Sequence, residues 1–541
     1  DVSAAALRMR YTSNSAQGLV ELQDIPDGAS APSSWRSSEA SDGYMSLSEY
    51  SPRSAFEEEF PQKGQSWLSR FPRVYLLALV IMLTNFVALY LTNVISSALV
   101  EMSIQGSGIS DHELDTTQQS AIVSTIVAFS IVGAVVSGAV QTKLLGRKQT
   151  LMVACAIITI GDIVVAWSES VKAVVIGRGL HGLACGIIMH TAPLFLAEVA
   201  PSHLRGLFNS ANAQLGLLGQ VGASVVGCIY VNVDLARHTL ERWRGMFTFA
   251  SYPAVLTLIA LLFVPESPQW LHSVKGDVET TRKSLIWITG SFHEANSILD
   301  GYQAESSSSM TSVRQVDNGG MVSKLCARRT RNAMRLGLGL MAMQQLAGIN
   351  ALMFFSASIL KLARGSDESE GASTQLASSD AENVCATVLF PFCQFSGNMI
   401  CTALVDKLGR RKLAIISCAA SAACLFATGF VFHAEMISGR MLLFMVCAYQ
   451  VGFGLGMGPL PWTVNAEIYP METKSVANAI AVLVLLLTTF FVIASFLPLS
   501  EALSSREKHP DGVYWMFGSF STIGTILLVK FMPETCGKSS E

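Results

Sequence analysis

The chain has 541 residues, half of them hydrophobic and 14% charged, with a mean hydropathy of +0.43. Soluble domains carry about 25% charged residues, so this composition excludes an ordinary soluble protein and implies a chain that crosses a bilayer many times. The formal net charge of −3 offers no basis for binding nucleic acid.

Residues 1–72 are rich in Ser, Ala, Glu and Pro, in stretches such as SSWRSSEASDGYMSLSEYSPRS. Such a segment buries too little apolar surface to offset the entropy of ordering, so it is expected to be a disordered tail. No charged n-region followed by an apolar h-region marks a cleaved signal peptide. Apolar runs follow at about 74–100, 120–142, 151–168, 171–199, 207–231 and 243–264, each near the roughly 20 residues that a spanning helix needs. A polar linker over 265–335 is expected to be helical. Six more runs follow at about 336–362, 383–405, 413–432, 441–465, 476–499 and 513–532, and residues 533–541 form a short tail. The expected fold is an all-α membrane protein of twelve transmembrane helices, arranged as two six-helix halves over 73–264 and 336–532.

The eleven cysteines mostly lie singly inside apolar runs, as at Cys155, Cys185, Cys228, Cys401 and Cys447, and read as small core residues. No CxxC or Cys/His spacing suggests a metal, and no cofactor is expected. Lys and Arg set the orientation. Lys143, Arg147 and Lys148, Arg205, Arg328, Arg329 and Arg331, and Lys407, Arg410, Arg411 and Lys412 fall on one side. The loop at 101–119 carries Glu101, Asp111, Glu113 and Asp115 without a cation. The basic side is therefore expected to be cytoplasmic, with both termini on it. The loop at 363–382, with Asp367, Glu368, Glu370 and Asp380, is expected to be external.

The two halves repeat. Gly146-Arg147-Lys148 matches Gly409-Arg410-Arg411-Lys412, Ala197-Glu198 with Arg205 matches Ala466-Glu467 with Lys474, and Pro265-Glu266-Ser267 matches Pro533-Glu534-Thr535. The offsets are 263, 269 and 268 residues. Three ordered pairs at nearly one offset indicate a duplicated six-helix unit, the parallel repeat of the major facilitator architecture, with a solute near the midplane. A carboxylate seven residues before a cation cannot be an i,i+4 helix pair, so it is placed to meet a neighbouring helix. Arg147, Arg178, Glu198, Arg205, Asp406, Arg410 and Glu467 are expected to form a cytoplasmic gate that joins the halves. Arg178, in an apolar run, is less costly there if Glu198, Glu467 or another carboxylate pairs with it.

Met341 to Phe355 reads MAMQQLAGINALMFF inside an apolar run. Lipid does not tolerate Gln344, Gln345 and Asn350, so these amides face protein, water or a solute. On an ideal helix Gln345 and Asn350 stand about 140° apart. They share one solute only if the helix loosens, which Gly348 permits. Asp162, an acid in the third span, suits a proton relay, a pairing role or a water-exposed role. His181 and His190 in the fourth span read as satisfied core histidines or titrating groups.

These residues resemble the sugar porters of the major facilitator superfamily, which include facilitative hexose transporters. The resemblance rests on GRGLHGLACG (177–186), PLFLAEVAPSHLRG (193–206), PESPQWL (265–271), QQLAGIN (344–350), VDKLGRRK (405–412), GPLPW with AEIYP (458–470) and PETCGKS (533–539), in family order from residue 74 onward. It implies a transporter rather than an enzyme, with a small-molecule sugar as substrate, a lipid bilayer around it and no cofactor. It also implies sugar contacts from Gln344, Gln345 and Asn350, from Trp462, from Gln394 in the eighth helix, and from Gln214 and Gln220 in the fifth. Phe354 and Phe355 stand where the family has a tyrosine pair and are expected to close the outside.

Several positions depart from the family pattern. Leu91 replaces the first-helix acid that proton symporters use, which points to passive uniport. Gly454 stands where a Glu is frequent, Leu485 and Leu486 where Asn-Trp is expected, and Thr142 where an Asp is usual. The expectation is facilitative uniport of glucose-like hexoses by alternating access, probed against inositol transport, proton symport and, in another class, a membrane sugar sensor. The oligomeric state has no signature in the sequence, and the plasma membrane is the default location.

Overall fold

The computed structural model describes residues 19–21, 44–46, 72–103, 108–109, 114–141, 144–201, 204–232, 242–313, 327–364, 381–434, 439–469, 473–504 and 510–534. The expected disordered tail lies outside the described residues, apart from an antiparallel pair of short strands, β1 (Leu19–Glu21) and β2 (Tyr44–Ser46). Thr142, the acidic loop residues Asp111, Glu113, Asp367, Glu368, Glu370 and Asp380, and the motif residues from Thr535 onward also lie outside them.

From Phe71 onward the chain is one compact unit. Lipid offers no partner for backbone N–H and C=O groups, so each crossing is helical. Eleven helices among the described residues are long and apolar enough to span. They are α1 (Arg73–Met102, turned at Val94), α2 (Thr116–Gln141), α3 (Arg147–Ala166), α4 (Val171–Val199), α5 (Arg205–Asn232), α6 (Arg242–Phe263), α7 (Thr330–Phe354), α8 (Ala381–Leu408), α9 (Arg410–His433), α11 (Val476–Ala502) and α12 (Asp511–Phe531). The tenth crossing, α10, is made of two shorter helices, Gly439–Gly454 and Leu460–Ile468. The linker holds helices Val278–Thr289 and Phe292–Val313.

The same pairings recur in both halves. Helix α1 packs on α5 as α7 packs on α11; α2 packs on α4 as α8 packs on α10; and α3 packs on α6 as α9 packs on α12. Short loops make successive helices antiparallel, so Arg147 and Arg410 fall at one end of the bundle, here called the basic end. The halves meet through α2 against α11 and α5 against α8. A mid-bundle apolar cluster joins Met341, Ala481, Leu485 and Leu486 to Ile131, Ala134 and Met189. The two leucines that stand where the family has Asn-Trp are therefore packed between the halves.

The motif repeat becomes a repeated contact. The Glu266 carboxylate accepts from the Lys148 backbone N–H at 2.9 Å, and the Glu534 carboxylate accepts from those of Arg410 and Arg411 at 2.9 and 3.2 Å. Each acid thus satisfies orphan donors at a helix N-terminus and complements its dipole. Gly146 and Gly409 make room for these carboxylates. At Gly409, with φ +86°, an added Cβ would lie 2.5 Å from the Glu534 oxygen.

Candidate solute-binding site

Helix α7 breaks where the sequence allowed it. Residues Arg328–Leu346 form one helix and Ile349–Phe354 the next. Between them Gly348 adopts φ +81°, a left-handed conformation that costs a residue with a Cβ about 1–2 kcal/mol. The break removes the 140° problem: Asn350 Nδ2 donates to Gln345 Oε1 at 2.6 Å. That bond leaves the Gln345 amide N–H groups and the Asn350 carbonyl oxygen to a ligand. Tyr449 of α10 holds the break by donating its hydroxyl to the Ala347 carbonyl at 2.7 Å.

Helix α10 is interrupted between Gly454 and Leu460, which frees backbone carbonyls. Gln344 Nε2 donates to two of them, Met457 O at 2.9 Å and Gly458 O at 2.7 Å. Its donors are therefore committed to protein, while its Oε1 is buried without a partner. Asn398 of α8 faces the same interruption, and Gln394 lies one turn before it with its backbone carbonyl against Gly454. A Cβ on Gly454 would lie 2.6 Å from the Gln394 carbonyl, and one on Gly458 would lie 3.3 Å from Asn398 Oδ1. The side-chain oxygens of Gln394 and Asn398 are likewise buried and unpaired. Trp462 follows four residues after Gly458 and is 39% exposed, so its ring is accessible.

In the first half Gln220 is 8% exposed with an unpaired Oε1. Asn93 Nδ2 ties the same turn of α5 to α1 by donating to the Gln220 carbonyl at 2.9 Å and to Ser224 Oγ at 3.0 Å. Gln214 Oε1 is also unpaired, but six residues separate it from Gln220, about 120° around the helix, so the two glutamines lie on different faces of α5. Most buried polar atoms find partners. A set of unpaired amide oxygens on α5, α7 and α8 is therefore a demand for donors, and a polyhydroxylated solute supplies them without burying charge. Asn398 escaped the sequence reading, although it lies four residues after Gln394 on the same helical face.

Phe354 and Phe355 are buried, at 3% and 1% exposure. Phe355 stacks on Phe496 at 5.1 Å, and Phe496 on Phe517 at 6.3 Å. Phe355 thus packs inside the second half.

The charged residues differ from expectation in their partners. Arg147 meets Glu198 at 2.9 Å, and Arg410 meets Glu467 at 3.4 Å and Asp406 at 3.6 Å. All three pairs lie within a half. The carboxylate on α4 or α10 reaches the N-terminus of α3 or α9, the helix packed beside it in the same half. Glu198 also accepts from Ser267 Oγ at 2.5 Å, while Arg205 is exposed at the start of α5. The side chain of Lys474 lies outside the described residues.

Arg178 is not at the basic end. It lies 20 residues before Glu198 on one helix, roughly 30 Å away at 1.5 Å per residue. It is fully buried, donates to Leu91 O at 2.8 Å beside the turn in α1, and lies 5.5 Å above the Phe247 ring. Asp162 is likewise fully buried, 2.9 Å from His181 Nε2, and accepts from Ser251 Oγ at 2.7 Å. It is a paired acid rather than a water-exposed one. His190 contacts Ser137 Oγ at 3.2 Å. Cys228 is not a solitary core thiol, because it forms a disulfide with Cys385. Both lie at the end opposite the basic clusters, where Ser96 Oγ and Ser356 Oγ also meet at 2.6 Å. These contacts join the two halves.

The family model described as "Sugar (and other) transporter" matches residues 77–541. The Staphylococcus epidermidis protein named glucose transporter GlcP is 30% identical, over 80% of this chain and 89% of its own length. The human protein named proton myo-inositol cotransporter is 28% identical, over 86% of this chain and 81% of its own. Among solved structures, the xylose transporter XylE from E. coli, in a form titled partially occluded inward open, superposes with a TM-score of 0.69. It is 24% identical and covers 86% of this chain and 99% of that one.

Proposed function

The chain belongs to the sugar porters of the major facilitator superfamily, and on that premise we propose that it carries a glucose-like hexose down its gradient by alternating access. The observation that carries this reading is the break at Gly348. It joins Gln345 to Asn350 and sets Gln344 beside the interrupted α10, on whose Gly458 Asn398 of α8 also packs. The sugar's hydroxyls donate to the oxygens of Gln220, Gln344, Gln394 and Asn398 and accept from the Gln345 amide. Trp462 offers an aromatic face to the apolar side of the ring. Phe354 closes the outer approach. The basic end is cytoplasmic by the positive-inside rule. The disulfide at the opposite end agrees with that orientation, since disulfides persist on the oxidising side of a membrane. The plasma membrane is the proposed location. Leu91 in place of an acid favours uniport.

The test is uptake of labelled glucose into proteoliposomes without a proton gradient, with hexoses, pentoses and inositol as competitors. Saturable uptake that Gln345→Ala abolishes, with the protein still folded, is the expected result. Uptake that inositol alone displaces would reassign the substrate. A second reading, proton-coupled transport, is favoured by one observation, the buried Asp162–His181 pair. Uptake that appears only with an imposed gradient, and is lost in Asp162→Asn, would establish it. Sugar binding without flux would point to a sensor.

A further inference from the structure

We propose that Cys228 and Cys385 form a thiol–disulfide modification site that locks one end of the carrier shut when oxidised and releases it when reduced by a small thiol. The inference rests on the reading that the two halves move against each other. Cys228 is four residues from the end of α5, in the first half, and Cys385 is in the first turns of α8, in the second; 157 residues separate them. Their Cα atoms are 4.6 Å apart, inside the range of about 4.4–6.8 Å that a disulfide permits. The bond sits beside the other links between the halves at that end. Ser96 of α1 meets Ser356 of the second half, and Val384 of α8 lies 3.6 Å from where a Cβ on Gly227 of α5 would stand.

Opening this end must lengthen the span between these cysteines. It lies roughly 15 Å from the midplane of a bilayer whose hydrocarbon is about 30 Å thick. A relative rotation of about 15°, a typical size for packed bodies, moves it by roughly 4 Å. The Cα separation would then be roughly 8–9 Å, beyond what the bond allows. Hydrogen bonds and apolar contacts re-form at every cycle, whereas the covalent bond does not.

The chemistry is ordinary exchange. A thiolate of an external dithiol attacks Cys228 Sγ, and the S–S bond breaks with its electron pair leaving on Cys385 Sγ. The second thiol then displaces Cys228 as a thiolate and closes the reagent's own disulfide. Two electrons and two protons pass to the protein pair. Asn232 Nδ2 donates to Cys385 Sγ at 2.9 Å, so the departing thiolate is stabilised where it forms. Both cysteines are half-buried and Asn232 is exposed, which leaves the bond within reach of a small reagent.

The experiment compares the purified full chain after oxidised glutathione and after dithiothreitol. Thiol counting should show two more reactive thiols after reduction. Hydrogen exchange over residues 92–100 and 352–360, which flank Ser96 and Ser356, should accelerate on reduction. Uptake in proteoliposomes should rise at least tenfold and fall again on reoxidation. In Cys228→Ser/Cys385→Ser, exchange and uptake should match the reduced protein and ignore both reagents. No change in thiol count, or equal exchange in the two forms, overturns the proposal. Equal uptake with unequal exchange also overturns it, because the bond would then not control transport. No uptake in any form, with exchange still responding to reduction, leaves the lock in place and refutes the transport reading instead.

Discussion

Replacing Gly348 by Ala should cost this carrier its binding site before it costs the fold. Two penalties meet at that position. The residue is held at φ +81°, which costs an L-residue about 1–2 kcal/mol. An added Cβ would also lie 2.6, 2.8 and 2.9 Å from three atoms of the Phe517 ring, and overpacking of this kind costs about 1–3 kcal/mol. Together they amount to roughly 2–5 kcal/mol. The chain escapes most of this by letting α7 run straight, which turns Gln345 and Asn350 about 140° apart and breaks their 2.6 Å bond. If only 2 kcal/mol of the penalty falls on the bound conformation, kcat/KM for sugar uptake drops about thirtyfold, since 1.36 kcal/mol is tenfold. The assay is initial-rate uptake in proteoliposomes, with gel filtration and a melting curve to confirm folding. Adding Phe517→Ala to Gly348→Ala removes the clash but not the dihedral strain, so it should restore part of the rate. Wild-type uptake and melting in Gly348→Ala would show that the break is incidental to transport.

Other consequences follow from the same geometry. Gln344→Ala strands the Met457 and Gly458 carbonyls, a loss of about 1–3 kcal/mol, and should raise KM at least tenfold; an unchanged KM would remove Gln344 from the site. Glu266→Gln and Glu534→Gln should each lower stability by about 1 kcal/mol, because each weakens an equivalent charged cap; melting in detergent would show whether the two halves respond alike. A double-mutant cycle between Arg147 and Glu198 should give a coupling energy of about 1 kcal/mol or more, whereas a cycle between Glu198 and Arg410 should give none. Coupling in the second cycle would mean that the ion pairs bridge the halves after all.

Much of the architecture was legible in the sequence because its signals are local. A helix in lipid must satisfy its own backbone, so span length and hydropathy alone count the crossings. Duplicated motifs announced a duplicated unit, and the bend at Gly348 followed from a glycine among amides that one straight helix could not aim together. The tenth crossing was legible as one run, yet its interruption was not. The glycines at 454, 456 and 458 permitted it, and only the neighbouring carbonyls and Gln344 show that it occurs.

Choice of partner was decided by tertiary structure. The spacing of Glu198 and Arg205 showed that the acid seeks another helix but not which one. Packing of α3 on α4 within one half answered it with Arg147. Arg178 and Glu198 sit on one continuous helix, and counting residues along it already separates them by its length; the run of charged motifs concealed this. Asp162 with His181, and Cys228 with Cys385, are distant in sequence and adjacent only because helices pack. By itself, then, the sequence determined how many helices cross, that they are duplicated and which segment carries the amides, since each of these depends on residues within a few turns of one another. Which amide donors are already spent, which charges pair and which thiols join depend on distances between helices, and those were set only by packing them.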